Sequence, residues 1–147
     1  MGGLQSGAML FIDYGYPRRE FYLPQRDEGT LRAFYRHRTH NDAYAWPGLQ
    51  DLTASVDFTA LAEAGTQAGF DLVGYCNQAS FLLGNGLQQR LEEAEARADE
   101  TRMQRFRNEA RHLTLPSEMG ERFQVMGFAR GVEFGVAFLL GDQTWRL

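Results

Sequence analysis

Lysine is absent from the 147 residues: all fifteen basic side chains are arginines, set against nineteen acids for a net charge of −4. That balance offers no broadly basic surface, so general nucleic-acid binding by phosphate neutralisation is not expected. Cysteine is nearly missing too. The single Cys76 cannot close an internal disulfide, which points to a reducing compartment and a cytoplasmic location. Three histidines are the other soft ligands, and the grouping His37, His40 and Asp42 does not supply the three or four well-spaced ligands of common zinc sites, so no metal is expected. No apolar run approaches the roughly 18–20 residues of a membrane span, and the opening Met-Gly-Gly-Leu-Gln-Ser lacks the charged and apolar segments of a signal peptide. The chain is therefore expected to be soluble and unprocessed.

What is present is an ordinary globular mixture, 44% hydrophobic and 23% charged. A chain of this length buries roughly 68–70% of its extended surface, enough for a core without disulfides or metal. Ala8 to Ile12 is a continuous apolar run, the mark of a strand buried on both faces in a parallel α/β sheet. Asp13-Tyr14-Gly15-Tyr16-Pro17 closes it. Residues 17–51 hold three of the four prolines and many aromatics without a sustained period, which points either to a functional lid or binding loop or to elements that the pattern fails to assign. From Val56, apolar or small residues at Phe58, Leu61, Ala62, Gly65 and Ala68 describe a helix with Ser55 or Asp57 as cap and Gly69 as its end. Phe70 to Tyr75 reads as the next buried strand, giving a βαβ unit with a right-handed crossover. Leu87 to Leu113 reads as two amphipathic helices with Asp99 as the cap between them, their six arginines balanced by six acids on a solvated face. Val132 to Leu140 alternates strictly, and with Phe123 to Ala129 it reads as a terminal antiparallel hairpin turning at Arg130-Gly131.

Parallel α/β sheets bind ligands beyond the carboxyl ends of their strands. Asp13, Tyr14 and Tyr16 stand at such an end; a plain turn would explain the aspartate, glycine and proline but not two tyrosines. Thr30 to His40 carries Arg32, Arg36, Arg38, His37 and His40 without an acid. Phe34 and Tyr35 between them could stack bases, although a surface stripe paired with acids elsewhere is the simpler reading. Asp51 lies too far upstream of the helix to cap it. The chain has no glycine-rich phosphate loop, nucleophile elbow or paired cysteines.

Together, several blocks resemble the MidA-type S-adenosylmethionine-dependent methyltransferases across nearly the whole chain. They are Ile12-Asp13-Tyr14-Gly15-Tyr16, then Gly29-Thr30-Leu31-Arg32 leading to Arg36-His37-Arg38, then Pro47-Gly48 with Asp51-Leu52-Thr53 and Val56-Asp57-Phe58. Gln78-Ala79-Ser80-Phe81-Leu82 and Pro116-Ser117-Glu118-Met119-Gly120-Glu121-Arg122-Phe123 follow in order. Ser55 departs from the histidine of many bacterial relatives. The resemblance implies an α/β fold forming the C-terminal portion of a class I, Rossmann-like methyltransferase sheet. Residues 1–16 would be a central strand and site loop, 17–51 an insertion, 52–78 a helix-strand unit, 79–113 a helical segment and 114–147 the hairpin. The family's glycine-rich cofactor loop and the acid after its second strand have no counterpart here. The cofactor, S-adenosylmethionine, would thus bind in the full-length protein and at no residue of this chain, which alone would be inactive. The implied reaction is methylation of a protein arginine, as in the family's mitochondrial complex I assembly factor. Asp13, Tyr14 and Tyr16 are the candidates for the acceptor pocket, and Arg32, His37 and Asp51 for the substrate side or a lid. The alternative is a non-catalytic interaction module related to respiratory complex I biogenesis. The first strand would also lack one neighbour, leaving an apolar edge open to aggregation or to a second copy.

Overall fold

A computed structural model describes residues 5–147; the first four positions of the expected 1–16 segment lie outside it. The first strand, β1 (Gly7–Tyr16), is longer than the apolar run predicts, because Asp13 to Tyr16 continue the strand instead of turning away. A short helix α1 (Arg18–Phe21) and a 3-10 turn (Pro24–Arg26) follow. The presumed loop then folds into its own three-stranded sheet, β2 (Arg32–Tyr35), β3 (Arg38–His40) and β4 (Asp51–Thr53), with β2 in the middle. Its strands are three or four residues long, too short for a periodic pattern to emerge from the sequence.

The main sheet contains β1, the two-residue β5 (Val56–Asp57), β6 (Asp71–Asn77) and β7 (Phe123–Arg130), ordered β5-β1-β7-β6. Between β5 and β6 runs α2 (Phe58–Gln67), and the Asp57 side chain caps it by accepting from Ala60 N at 3.0 Å. After β6 come α3 (Gln78–Gly84), α4 (Leu87–Glu95) and α5 (Glu100–Thr114). Asp99 caps α5 through Arg102 N at 2.8 Å, as its place between two slipped apolar seams predicts.

The terminal hairpin does not form. β7 is antiparallel to β1 on one side and to β6 on the other, so both of its hydrogen-bonding edges are taken. No edge of β7 is left for Val132–Leu140, and Gly135, at φ +58° in the middle of the alternating run, breaks extension. The apolar residues of that run divide instead. Phe138 goes into the core, and Val136 and Leu139 stay exposed.

Strand alternation sorts the core into two layers. Tyr75, Met126 and Phe128 pack with Phe58 and Ala62 of α2 on one face. Cys76 and Val125 pack with Phe138 on the other, supported by Phe81 and Phe134. β1 departs from the reading of a strand buried on both faces, since Leu10, Phe11 and Ile12 are 42%, 37% and 49% exposed. Among the described residues its second edge is paired only at Gly15 and Tyr16, with Val56 and Asp57 of β5.

Candidate functional site

With β7 antiparallel to both, β1 and β6 run parallel to each other, and their carboxyl ends open onto one cavity of about 1080 Å³. β1 contributes Tyr14, Gly15 and Tyr16, followed by Pro17; β6 contributes Tyr75 and Asn77. The start of β7 adds Phe123 and Gln124, and the segment before it adds Pro116, Glu121 and Arg122. Arg32 and Phe34 of β2 reach in from the small sheet, together with Ser55. Glu20 of α1 and Gln143 and Arg146 of the final turn complete the wall.

Not all of the expected site residues reach the cavity. Tyr14 and Tyr16 share one face of β1 and line the cavity. Asp13 does not: it is exposed on the opposite face, where its carboxylate accepts from the Tyr14 amide at 2.8 Å. Arg32 lines the cavity, its guanidinium donating to the Leu31 carbonyl at 2.8 Å. His37 and Asp51 lie outside it. His37 sits with Arg36 in the two-residue turn between β2 and β3, at φ +63° and +47°, and is exposed. Asp51 is exposed on β4, opposite Phe34.

Two aromatic contacts shape the site. Tyr14 meets Phe123 edge to face at 5.6 Å, and the Arg26 guanidinium lies over the Tyr16 ring at 3.9 Å. Arg26 also donates to the Glu20 carbonyl, which fixes α1 at the rim. Across the cavity the Glu20 carboxylate accepts from Arg146, whose other terminal nitrogen donates to Gln143. Tyr75 is fully buried, and its hydroxyl has no hydrogen-bond partner among the described residues. Burial pushes the phenol well above its ordinary pKa; nearby Arg146 opposes this and Glu20 adds to it. The side-chain oxygen of Gln124 is likewise buried and unpartnered, while its amide nitrogen donates to Glu121 O at 2.8 Å.

Glu20, Tyr75, Gln124, Gln143 and Arg146 were not among the sequence candidates. Applying the strand-end rule to Phe70–Tyr75 as well as to the first strand would have found Tyr75 and Asn77. Glu20 and Arg146 are 126 residues apart, and no local pattern connects them.

The mixed α/β architecture, with parallel strands ending at a cavity, is of the class I methyltransferase-like kind, as the solved structures below bear out. Residues 2–76 match the model of a family described as "Putative S-adenosyl-L-methionine-dependent methyltransferase", and the chain belongs to that family. It is 35% identical over 120 residues to the mitochondrial protein arginine methyltransferase NDUFAF7 of Danio rerio, covering 81% of this chain and 26% of the relative. With the Drosophila melanogaster homolog of that protein it shares 34% identity, over 86% of this chain and 28% of the relative. A crystal structure of an uncharacterized Burkholderia thailandensis protein superposes with a TM-score of 0.89 at 45% identity, over 97% of this chain and 38% of that one. A second Burkholderia thailandensis structure, bound to S-adenosyl-homocysteine, gives a TM-score of 0.84 at 46% identity, over 96% of this chain and 36% of that one. The chain thus spans about a quarter of the curated relatives' length.

S-adenosylmethionine is the family's cofactor. Neither parallel strand ends in a glycine-rich turn: β1 runs into Tyr16-Pro17 and β6 into Asn77-Gln78. Gly15 cannot admit a ligand to its backbone, because a Cβ placed there would lie 2.2 Å from the Val56 carbonyl oxygen.

Proposed function

We propose that this chain forms the acceptor-binding wall of an S-adenosylmethionine-dependent methyltransferase that modifies a protein arginine. The observation that carries this reading is the cavity at the ends of β1 and β6, where Tyr14, Tyr16, Tyr75 and Phe123 stand beside the carboxylates Glu20 and Glu121. Planar aromatic walls suit the planar guanidinium. Carboxylates orient it through charge-assisted hydrogen bonds and can take its proton. Membership of the methyltransferase family and the names of the curated relatives support the same acceptor. In this reading the cofactor is held by sequence beyond these residues and supplies the electrophilic methyl. Tyr14 and Tyr16 position the acceptor nitrogen, Arg32 borders the cavity, and Asp13, His37 and Asp51 have no direct part. A cytoplasmic location fits the lone Cys76 and the lack, among the described residues, of any helix long and apolar enough to cross a membrane.

The test is methyl transfer by the intact protein from labelled S-adenosylmethionine to arginine-containing and lysine-containing peptides, with the product read by mass spectrometry. Methylarginine is expected, and Tyr16→Ala should raise the KM for the peptide about tenfold through loss of one aromatic wall. Transfer to lysine alone, or no transfer to either peptide, would refute the assignment.

A further inference from the structure

Of the arginines that line the cavity, Arg146 is seated on the Glu20 carboxylate. Three features show that the seat is built for this group and is still incomplete. Glu20 uses one carboxylate oxygen for Arg146, and no described residue bonds to the other. The Tyr75 hydroxyl and the Gln124 side-chain oxygen, both buried in the same wall, have no partners among the described residues. A buried polar atom without a partner is costly and calls for a ligand that supplies the missing bond. Arg146 itself stands on a three-residue 3-10 turn, Thr144–Arg146, and is part-exposed, so displacing it disturbs no helix or strand.

We propose that Glu20, with Tyr75 and Gln124, is the seat of the acceptor guanidinium, and that Arg146 is an internal stand-in the substrate arginine must displace. The inference rests on the arginine-acceptor reading and names the residues that would carry it out. Bound there, the guanidinium shares the Glu20 carboxylate and donates to the two orphaned oxygens, a set of directional bonds that a lysine ammonium, with no planar fork, cannot reproduce. Competition by Arg146 lowers the apparent affinity by the fraction of time it holds the seat.

The experiment measures calorimetric binding of a Gly-Arg-Gly peptide, with Gly-Lys-Gly as control, to the intact protein and three variants. Arg146→Gln empties the seat and should tighten arginine-peptide binding about tenfold, as expected if Arg146 occupies it about nine-tenths of the time. Glu20→Gln should weaken binding about ten- to a hundredfold, and in that background Arg146→Gln should give no gain. Tyr75→Phe removes only an unpartnered hydroxyl, so it should not lower the unfolding midpoint, while weakening the arginine peptide and not the lysine one. If Arg146→Gln weakens or abolishes binding, Arg146 is part of the seat and the stand-in is refuted. If Glu20→Gln leaves binding unchanged, or if neither wild type nor Arg146→Gln binds the arginine peptide, the seat lies elsewhere. Methylarginine formed in the transfer assay alongside any of these results would leave the function standing and overturn only this inference.

Discussion

The aromatic ring of Phe138 rests on a floor of two glycines, Gly74 on β6 and Gly127 on β7, and this contact holds the tail that carries Gln143 and Arg146 to the cavity. A Cβ built at Gly74 would lie 2.3 Å from Phe138 Cγ and 2.4 Å from its Cβ, and one at Gly127 would lie 2.5 Å from Cε2. At position 74 the clash falls on the root of the side chain, which cannot swing aside without its backbone. At position 127 it falls on the ring alone, so Gly127→Ala must displace the ring and should cost about 2 kcal/mol, within the usual range for overpacking. Phe138 is 5% exposed, so Phe138→Ala should cost about 4 kcal/mol in lost burial and cavity. Simple addition gives about 6 kcal/mol for the pair. The geometry predicts otherwise: without the ring a methyl at position 127 keeps only an ordinary contact with Phe134 Cζ at 3.5 Å, and exchanging glycine for alanine at an ordinary φ gains about 0.4–1 kcal/mol from the unfolded chain. The double variant should then be no less stable than Phe138→Ala alone, a coupling of roughly 2 kcal/mol or more. Urea unfolding followed by circular dichroism, with slopes checked for equality, measures all four corners of the cycle. Additive costs would refute the glycine floor.

Two further outcomes follow from local chemistry. Burial, with a smaller push from Asp142, raises the Cys76 thiol to about 11, so at pH 8 a thiol reagent should label Cys76 only as fast as the protein opens, with full labelling in denaturant. The exposed Arg18–Glu63 pair, at 2.6 Å and 2.7 Å, holds the Glu63 carboxyl below its ordinary 4.5. A lowered folded-state pKa gives stability that is present above the ordinary value and lost as pH falls through the lowered one. Glu63→Gln should therefore reduce the urea midpoint slightly at pH 7 and converge with wild type in acid; an equal deficit at every pH would contradict this.

Local signals were legible in the sequence and long-range ones were not. Asp57 and Asp99 identify helix starts because capping needs only the next few residues, and both side chains bond where the pattern puts them. Tyr14 and Tyr16 were found by the strand-end rule, although the rule carried Asp13 with them. Asp13 lies within the strand, paired with Gln124 and exposed, a placement that becomes visible only once the strand is known to continue to Tyr16. The tail misled for a related reason. Alternation of Val132, Phe134, Val136, Phe138 and Leu140 describes an extended run equally well whether or not a strand edge is free to receive it. That edge was occupied by β1 and β6, from more than 45 residues away in each case.

The reversed direction of β7 assembles the site. In its register Phe123 stands opposite Tyr14 of β1, and Gln124 opposite Asn77 of β6, so the first residues of one strand lie level with the last residues of two others. Had β7 run parallel to its neighbours, its start and the segment before it would sit at the far end of the sheet. Instead Pro116, Glu121 and Arg122 arrive from the approach to β7, and Pro17 and Glu20 from the exit of β1. Gly120 accepts from Ala79 N at 2.9 Å, tying that approach to the start of α3. The tail reaches the same end by a different route. Asp142 accepts from the Tyr75 amide at 3.1 Å and Gln143 N donates to the Tyr75 carbonyl at 2.6 Å, so both backbone groups of the residue with the orphaned hydroxyl are fixed by the segment that delivers Arg146. Any movement that withdraws Arg146 from Glu20 by shifting this segment must also loosen Tyr75. A rotation of the Arg146 side chain alone would spare it. The proposed exchange of guanidinium groups therefore belongs to that side chain, with the Asp142 and Gln143 anchors left in place.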